Sequence, residues 1–170
     1  MQPIIAKLIV ATAQYDAGDP KRIQHLIKVH DLAATIGTLE GMSPAELLTL
    51  EAAAVVHDIG IHEAERKHHS SSGKWQEQEG PTLARQVLIQ VGGFSPEQVE
   101  RVCFLVGHHH TYANMQGLDY QALVEADFLV NLYEDQVPLE TVPQVEQRIF
   151  RTATGIRLLH AMFATRYVAP

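Results

Sequence analysis

Histidines stand out in this sequence: there are ten among 170 residues. Most of them are clustered, at His25/His30, His57/His62, His68/His69 and His108–His110, with His160 alone. Imidazole nitrogens, together with carboxylate oxygens, are the ligands that suit Mn, Fe, Co, Ni or Zn. The histidine content is therefore a first indication of metal chemistry.

His25 and His57 fall where predicted helices bury carbon. His25 shares a helical face with Val29 and Leu32. His57 ends a segment that is apolar nearly all round, so that helix belongs in the interior and the next residue, Asp58, is expected at the edge of the core. A single histidine on an apolar face is more often a hydrogen-bonded core residue than a ligand, so neither residue decides the matter alone.

Asp127 is the strongest of these polar residues. Its helical neighbours include Leu123 and Val124, so its carboxylate is predicted to lie in the core. A buried carboxylate needs a metal, a cation or several hydrogen bonds, and Arg22 or Arg85 could supply an interhelical salt bridge instead of a metal. The convergence of three helices, each with a metal-competent group facing inward, favours the metal.

The elements that must position these residues are predicted to be helices. Asp19-Pro20 begins the first of them and Gly37 ends it, a typical start and stop pair. The polar residues 61–75 are predicted to form a loop. Because no convincing alternation of period two occurs, we expect residues 1–170 to form one all-α, bundle-like domain. The predicted helices span about residues 20–36, 44–58, 81–91, 96–107, 119–134, 142–150 and 154–167.

The composition of the chain limits the classes of binding partner. With 13 Lys and Arg against 20 Asp and Glu, the net charge is -7, which argues against an extended nucleic-acid or anionic-membrane partner. A nucleotide is still compatible, because a bound metal supplies local positive charge. The lone Cys103 lies in an apolar run and is predicted to fill the core. The N-terminal apolar run is too short to span a bilayer, and we expect a cytoplasmic protein.

Three segments together resemble the HD superfamily of metal-dependent phosphohydrolases. Residues 52–60 read AAAVVHDIG, similar to the family signature in which an adjacent His-Asp pair ends a buried helix. Residues 25–29 (HLIKV) resemble the family's first His helix, and residues 124–130 (VEADFLV) its final Asp helix. The order His…His-Asp…Asp holds, and the resemblance covers roughly residues 20–135.

The resemblance implies a ligand set and a reaction. His25, His57, Asp58 and Asp127 would hold a divalent metal (Mn, Co, Ni, Fe, Mg or Zn), and Asp58 would also bridge to a second metal if one binds. His30 is the rival of His25, but the valine four residues after His25 favours His25 and leaves His30 a structural role. The reaction implied is hydrolysis of a small phosphate ester, often a nucleotide, by water that the metal activates.

A second metal is possible but departs from the usual pattern. In family members with two metals, one extra histidine precedes a glycine and a small residue that open a helix. Here that pair is Gly80-Pro81, and Gln76 stands at the position of the histidine. Glu77 or Glu79 could substitute as ligand or general base, and His109 is the best placed of the three consecutive histidines. With Asp58, these residues make up the candidate catalytic set: Asp58, Glu77, Glu79 and His109.

Two other functions are compatible with the resemblance. Some HD-fold proteins use a di-iron centre to oxidise a small substrate with O₂, and a metal-binding or ligand-sensing module without turnover is the other alternative. Candidate phosphate contacts are Lys67, Lys74 and Arg85, although a solvated surface position is favoured for each. His68 and His69 are predicted to be exposed in the loop. The last helix is expected to complete the core, with a homodimer contact as the alternative.

Overall fold

The computed structural model describes residues 1–163, which form α-helices and one short 3-10 helix, with no strand in this range. The all-α prediction is therefore confirmed. In chain order the elements are α1 (Pro3–Tyr15), α2 (Pro20–Leu39), α3 (Pro44–Val56), α4 (Ile61–His68), α5 (Gly73–Val91), α6 (Pro96–Val106), α7 (Leu118–Glu134), the 3-10 helix (Leu139–Thr141), α8 (Val142–Ile149) and α9 (Ala153–Phe163).

Four helices make the centre of the fold. Helix α2 packs against α3 and α7, and α3 also packs against α6. Side chains such as Val29, Leu50, Leu105 and Leu123, one from each of these helices, are completely buried. Because these are the helices that carry or precede the candidate ligands, the core itself sets the position of the site.

Local capping explains where several helices begin. The side chains of Ser43 and Ser95 each accept a hydrogen bond from the backbone N–H three residues later. In turn, the side chains of Glu46 and Gln98 accept from the backbone N–H of the capping serine. Asp19 caps α2 through its side chain. Each cap satisfies N–H groups that the first helical turn leaves unpaired, so these starts follow from the sequence alone.

The prediction of a loop over residues 61–75 is wrong except at residues 69–72, which join two helices. Helix α4 begins at Ile61, and its polar side chains are joined by ion pairs from Glu63 to Arg66 (2.6 Å) and Lys67 (2.9 Å). Only Ala64 of this helix is buried. A short helix with so small an apolar face has the composition of a loop, which is why the sequence pattern misled.

Helix α5 begins at Gly73 rather than near Pro81, which lies inside it. Both glycines allow close packing here: a Cβ at Gly60 would lie 2.7 Å from the carbonyl oxygen of Gln76 and 2.8 Å from the nitrogen of Gly80, and a Cβ at Gly80 would lie 2.7 Å from Cγ1 of Val106. Gly60 lets the turn after α3 approach the backbone of α5, and Gly80 lets α5 approach α6. The Gly80-Pro81 pair therefore marks a close crossing and not a helix start.

The other differences at helix ends are small. Helix α2 continues through Gly37 to Leu39, and a Cβ at Gly37 would lie 2.8 Å from side-chain atoms of both Leu50 and Met42. This glycine serves packing rather than termination. Helix α9 is described to Phe163, and the predicted continuation over 164–167 lies outside the described residues.

The N-terminal apolar run forms α1, which packs on α3 and α5 and buries Ile5 and Leu8. Cys103 is buried, as predicted, and its thiol donates to the carbonyl of Pro81. Within residues 1–163, none of the helices is both long enough and apolar enough to cross a membrane.

Candidate metal centre

His57 lies in the turn directly after α3 and is completely buried. Its Nδ1 is 2.8 Å from the carbonyl oxygen of Ala54. Because a carbonyl can only accept, Nδ1 carries a hydrogen, and in the neutral ring Nε2 presents a lone pair. The backbone of α3 thus fixes the orientation in which His57 can bind a cation.

His25 reaches the same point from α2. Its Nε2 lies 3.2 Å from Nε2 of His57 and 3.2 Å from Oδ1 of Asp127, while its Nδ1 lies 3.1 Å from Oε2 of Glu134. Lys28 donates to the other oxygen of Glu134. A carboxylate behind a histidine is a common way to orient a metal ligand.

Asp127 completes this group from α7. The residue is 4 % exposed, and Oδ1 lies 3.6 Å from Nε2 of His57. Asn131, one helical turn later, donates to the same oxygen at 2.8 Å. The carboxylate therefore stays in the core among nitrogen groups, as the sequence pattern predicted.

The alternative partners of Asp127 are engaged elsewhere. Arg22 pairs with Glu65 at 2.7 Å, and Arg85 pairs with Glu100 on the surface. The interhelical salt bridge considered from the sequence is therefore wrong. Arg85 is likewise a surface residue rather than a phosphate contact.

Asp58 lies between two groups of candidate ligands. Its Oδ2 is 3.5 Å from Nε2 of both His25 and His57, and its Oδ1 is 3.4 Å from Nε2 of His109. Ligand atoms of Asp58, His109 and His110 lie within 4.8 Å of one another, as do those of His25, His57 and Asp58. One carboxylate thus faces two places where an ion would fit.

His109 has an unpartnered nitrogen. It is 1 % exposed, and its Nδ1 lies 2.8 Å from the carbonyl oxygen of Val106, which leaves a lone pair on Nε2. Within residues 1–163, that buried Nε2 has no hydrogen-bond partner. Burying such a group unpaired costs free energy, and a cation facing Asp58 and His109 would remove the cost. The donor set therefore fits a metal ion.

His110 lies beside His109, with 4.0 Å between the ring centroids. Its Nε2 is 3.0 Å from Oε1 of Gln76 on α5. Burial and the charge of His109 lower the pKa of His110 to about 4, so its ring is neutral near pH 7. The sequence pattern favoured His109 and gave His110 no separate role.

The cluster attracts positive charge. Burial lowers the pKa of His25, but the hydrogen bond with Asp127 and the charge of Asp58 outweigh it and raise that pKa to about 9. Although burial opposes it, the neighbouring histidines hold the pKa of both carboxyl groups, Asp58 and Asp127, well below the usual range. Without a metal, a proton on His25 occupies the place that a cation would take.

Neither Glu77 nor Glu79 contacts a candidate ligand atom of the two groups. Glu77 accepts from the backbone N–H of His110 at 2.9 Å and from the hydroxyl of Thr111 at 3.0 Å. Glu79 pairs with Lys67 at 2.6 Å. Neither carboxylate is among the grouped candidate ligands of the described residues. Their contacts favour structural roles, and a catalytic role for either stays a prediction.

His30, His68 and His69 lie outside the two groups of candidate ligands. His30 binds Glu51 at 2.9 Å in the core, in agreement with the structural role predicted for it. His69 is exposed, but His68 is half-buried, because its ring stacks on Trp75 with 3.8 Å between the centroids. The exposure predicted for His68 is therefore wrong. The Nζ of Lys74 also lies over the Trp75 ring, 4.7 Å from its centroid.

A cavity of about 340 Å³ opens beside the cluster. Its walls combine candidate ligands with two cationic side chains, Lys21 and Arg22, from the first turn of α2. Asn131 and Glu134 also line it, four and seven positions after Asp127 on one helical face. That spacing could have indicated both residues as neighbours of Asp127 on one helical face, but not the contact of Glu134 with His25.

Together, the helical core and the inward His/Asp cluster define an all-α protein with a candidate metal centre. The HD domain family matches residues 22–147, more than half of the chain, and the chain therefore belongs to that family. HD domains bind divalent metals, and the superfamily consists mostly of metal-dependent phosphohydrolases. Comparison with curated proteins gave no match, and neither did comparison with solved structures.

Proposed function

We propose that this protein is a metal-dependent phosphohydrolase that acts on a small phosphate ester, for example a nucleotide. The observation that carries the proposal is the convergence of His25, His57, Asp58 and Asp127 in a chain that belongs to the HD family. The four side chains come from α2, the turn after α3, and α7, so only the folded chain unites them.

These four residues would hold the first ion, and Asp58 would share its carboxylate with a second ion beside His109 and His110. When bound, such ions polarise phosphoryl oxygens and make water a stronger acid. Mixed imidazole and carboxylate ligands favour Mn, Fe, Co, Ni or Zn.

The chain's own residues prepare the site. Glu134 fixes the orientation of the His25 ring, and Asn131 fixes the carboxylate of Asp127. Of the four catalytic candidates, Asp58 and His109 face the cluster, whereas the two glutamates on α5 have other partners. Of these candidates we therefore assign catalytic roles to Asp58 and His109, which would act by holding the metal ions.

The cavity supports a small substrate. Its volume of about 340 Å³ is in the range of small-molecule sites. Its lining carries five carboxylates and two cationic side chains, Lys21 and Arg22, so a bound metal would have to add positive charge for a phosphate group. Lys21 is exposed, whereas Arg22 is already paired with Glu65, so Lys21 is the freer of the two to meet an anion. The net charge of -7 favours such a compact ligand over a nucleic-acid strand.

A metal-resolved assay tests the proposal. The purified protein is stripped with a chelator, reloaded separately with Mn, Co, Ni, Fe, Mg or Zn, and assayed for phosphate release. Substrates cover nucleoside mono-, di- and triphosphates, sugar phosphates and p-nitrophenyl phosphate. We expect release that requires metal and is lost in Asp127→Ala. A metal-loaded protein that releases phosphate from none of these classes would contradict the proposal and favour a non-catalytic module.

Because a second group of candidate ligands is present, a di-iron oxygenase is the alternative function. That chemistry needs two irons, and Asp58, His109 and His110 provide a place for the second. Oxygen uptake by the iron-loaded protein, measured with small hydroxylated substrates, distinguishes the two activities. Consumption of O₂ with product formation, and no phosphate release, would favour the oxygenase.

A further inference from the structure

Gln76 stands where the resemblance to HD proteins predicts an extra metal-binding histidine, yet it is buried beside the cluster. Its side chain is 7 % exposed and lines the same cavity as Asp58 and His110. A buried amide that is not a ligand needs its own hydrogen-bond partners. The partners of Gln76 show what the replacement does.

The orientation of the Gln76 amide is fixed by the chain on its far side. Its Nε2 donates to the carbonyl oxygen of Ser71 at 2.7 Å. A backbone carbonyl can only accept, so the amide cannot be turned round without losing this bond. Oε1 must therefore face Nε2 of His110, 3.0 Å away.

This contact selects one form of His110. Since Oε1 can only accept, Nε2 of His110 carries the hydrogen, and in the neutral ring Nδ1 keeps the lone pair. The hydroxyl of Tyr112 lies 3.4 Å from Nδ1, which is long for a hydrogen bond. Nδ1 is thus weakly engaged in the protein and free to bind an ion.

The His110 ring is also held from behind by α5. A Cβ at Gly73 would lie 2.6 Å from ring atoms of His110, so the first residue of α5 has to be small. The backbone N–H of His110 donates to Glu77 on the same helix. The first turns of α5 therefore contact both the backbone and the ring of His110 and restrict their position.

We propose that Gln76 is a positioning residue: its amide holds His110 beside Asp58 and His109, so that His110 supplies the nitrogen ligand that position 76 lacks. The inference rests on the proposed metal site, and it deepens that proposal by assigning the second ion to Asp58, His109 and His110. Gln76 acts only through His110 and does not itself bind the ion.

Calorimetric titration of the metal-free protein with Co²⁺ or Mn²⁺ tests this assignment. We expect two ions per wild-type chain. Gln76→Ala and His110→Ala should each weaken the second ion by at least about tenfold and leave the first unchanged, as is typical when a supporting partner of a ligand is lost. The double variant should lose no more than His110→Ala alone, because the two residues act in series. Gln78→Ala, an exposed neighbour on α5, is the matched control and should bind as wild type does.

A spectroscopic measurement separates positioning from general structural damage. In ¹⁵N-histidine spectra of the metal-free protein at pH 7.5, His110 should be protonated at Nε2 in wild type and change its tautomer balance in Gln76→Ala. Two ions bound equally well by Gln76→Ala, additive losses in the double variant, or an Nδ1-protonated His110 in wild type would each overturn the inference. Wild type that binds one ion would overturn it and leave the first site intact, whereas wild type that binds none would overturn the proposed function too.

Discussion

At the residue scale, three histidines of the centre share one arrangement. His25, His57 and His109 each place Nδ1 against an acceptor, namely a carboxylate or a backbone carbonyl, and turn Nε2 toward the cluster. The acceptor decides which nitrogen carries the hydrogen, and so decides which nitrogen can bind an ion. The ligand set therefore depends on residues that never touch the ion.

The support of His25 gives the first prediction. Replacing Glu134 with alanine removes the carboxylate behind Nδ1 of His25, so metal affinity should fall by about 10- to 100-fold. Titration with Co²⁺ measures the change. Asp135→Ala removes the next acidic residue of the same cavity, which is exposed, and should leave affinity close to wild type. Equal losses in both variants would mean that only the charge of the cavity matters.

The ligands themselves give the second prediction. His57→Ala and Asp127→Ala should abolish binding of the first ion and lower thermal stability, because the remaining buried groups lose their partner. Metal content of the dialysed variants provides the measurement. His68→Ala and Glu79→Gln, whose side chains bond each other on the outside of α4 and α5, should retain wild-type metal content. Full metal content in the Asp127 variant would show that the ligand set is wrong.

At the scale of elements, the site depends on where helices end. His57 and Asp58 follow the last residue of α3, and His109 and His110 follow the end of α6. Both turns are pressed against α5, through Gly60 on one side and Gly107 on the other. These four polar groups thus project from helix ends into the space beside the core, whereas His25 and Asp127 face it from within α2 and α7.

The junction between α7 and α9 gives the third prediction. Glu125 is completely buried and accepts from the backbone N–H groups of Arg151 (2.6 Å) and Thr152 (2.9 Å), and from Gln121. Glu125→Ala should lower the free energy of unfolding by about 2 to 4 kcal/mol, because these buried donors lose their acceptor. Chemical denaturation measures it. Glu140→Ala, at an exposed glutamate of the 3-10 helix, should change stability little, and a similar loss in both would contradict the assignment.

At the scale of the whole molecule, the centre couples folding to pH and to metal. The pKa of His25 is raised from 6.5 to about 9, so its proton stabilises the metal-free fold fully below pH 6.5, and this contribution is lost as the pH rises toward 9. The pKa of Asp127 is lowered from 3.8, so its contribution is present above pH 3.8 and is lost as the pH falls. An ion bound at the same place must displace the proton on His25.

The fourth prediction follows from these signs. In chelator, the Tm should fall between pH 6.5 and 9, and the increase in Tm produced by saturating Co²⁺ should grow over the same interval. Thermal unfolding followed by circular dichroism provides both values. His25→Gln should lose the metal-dependent increase and most of the pH dependence in this interval. A metal-free Tm that rises from pH 6.5 to 9 would contradict the charge assignment.

The sequence by itself determined the helices that have caps or broad apolar faces, and it determined the order of His25, His57, Asp58 and Asp127 on them. These features are local: a capping box, a periodic apolar face and a polar residue within that face can be recognised without knowing the neighbours. Helix α4 escaped prediction because its small apolar face resembles a loop, and α1 was also not among the predicted helices, although it buries Ile5 and Leu8.

Only the tertiary structure decided which residues support the ligands. The contact of Gln76 with His110 joins residues 34 positions apart, and that of His25 with Glu134 joins residues 109 positions apart. Spacing along one helix cannot specify such pairs, because they depend on how closely two elements approach. At α5 that approach depends on Gly60, Gly73 and Gly80, where a Cβ would collide with the backbone of α5, the His110 ring and the Val106 side chain, respectively.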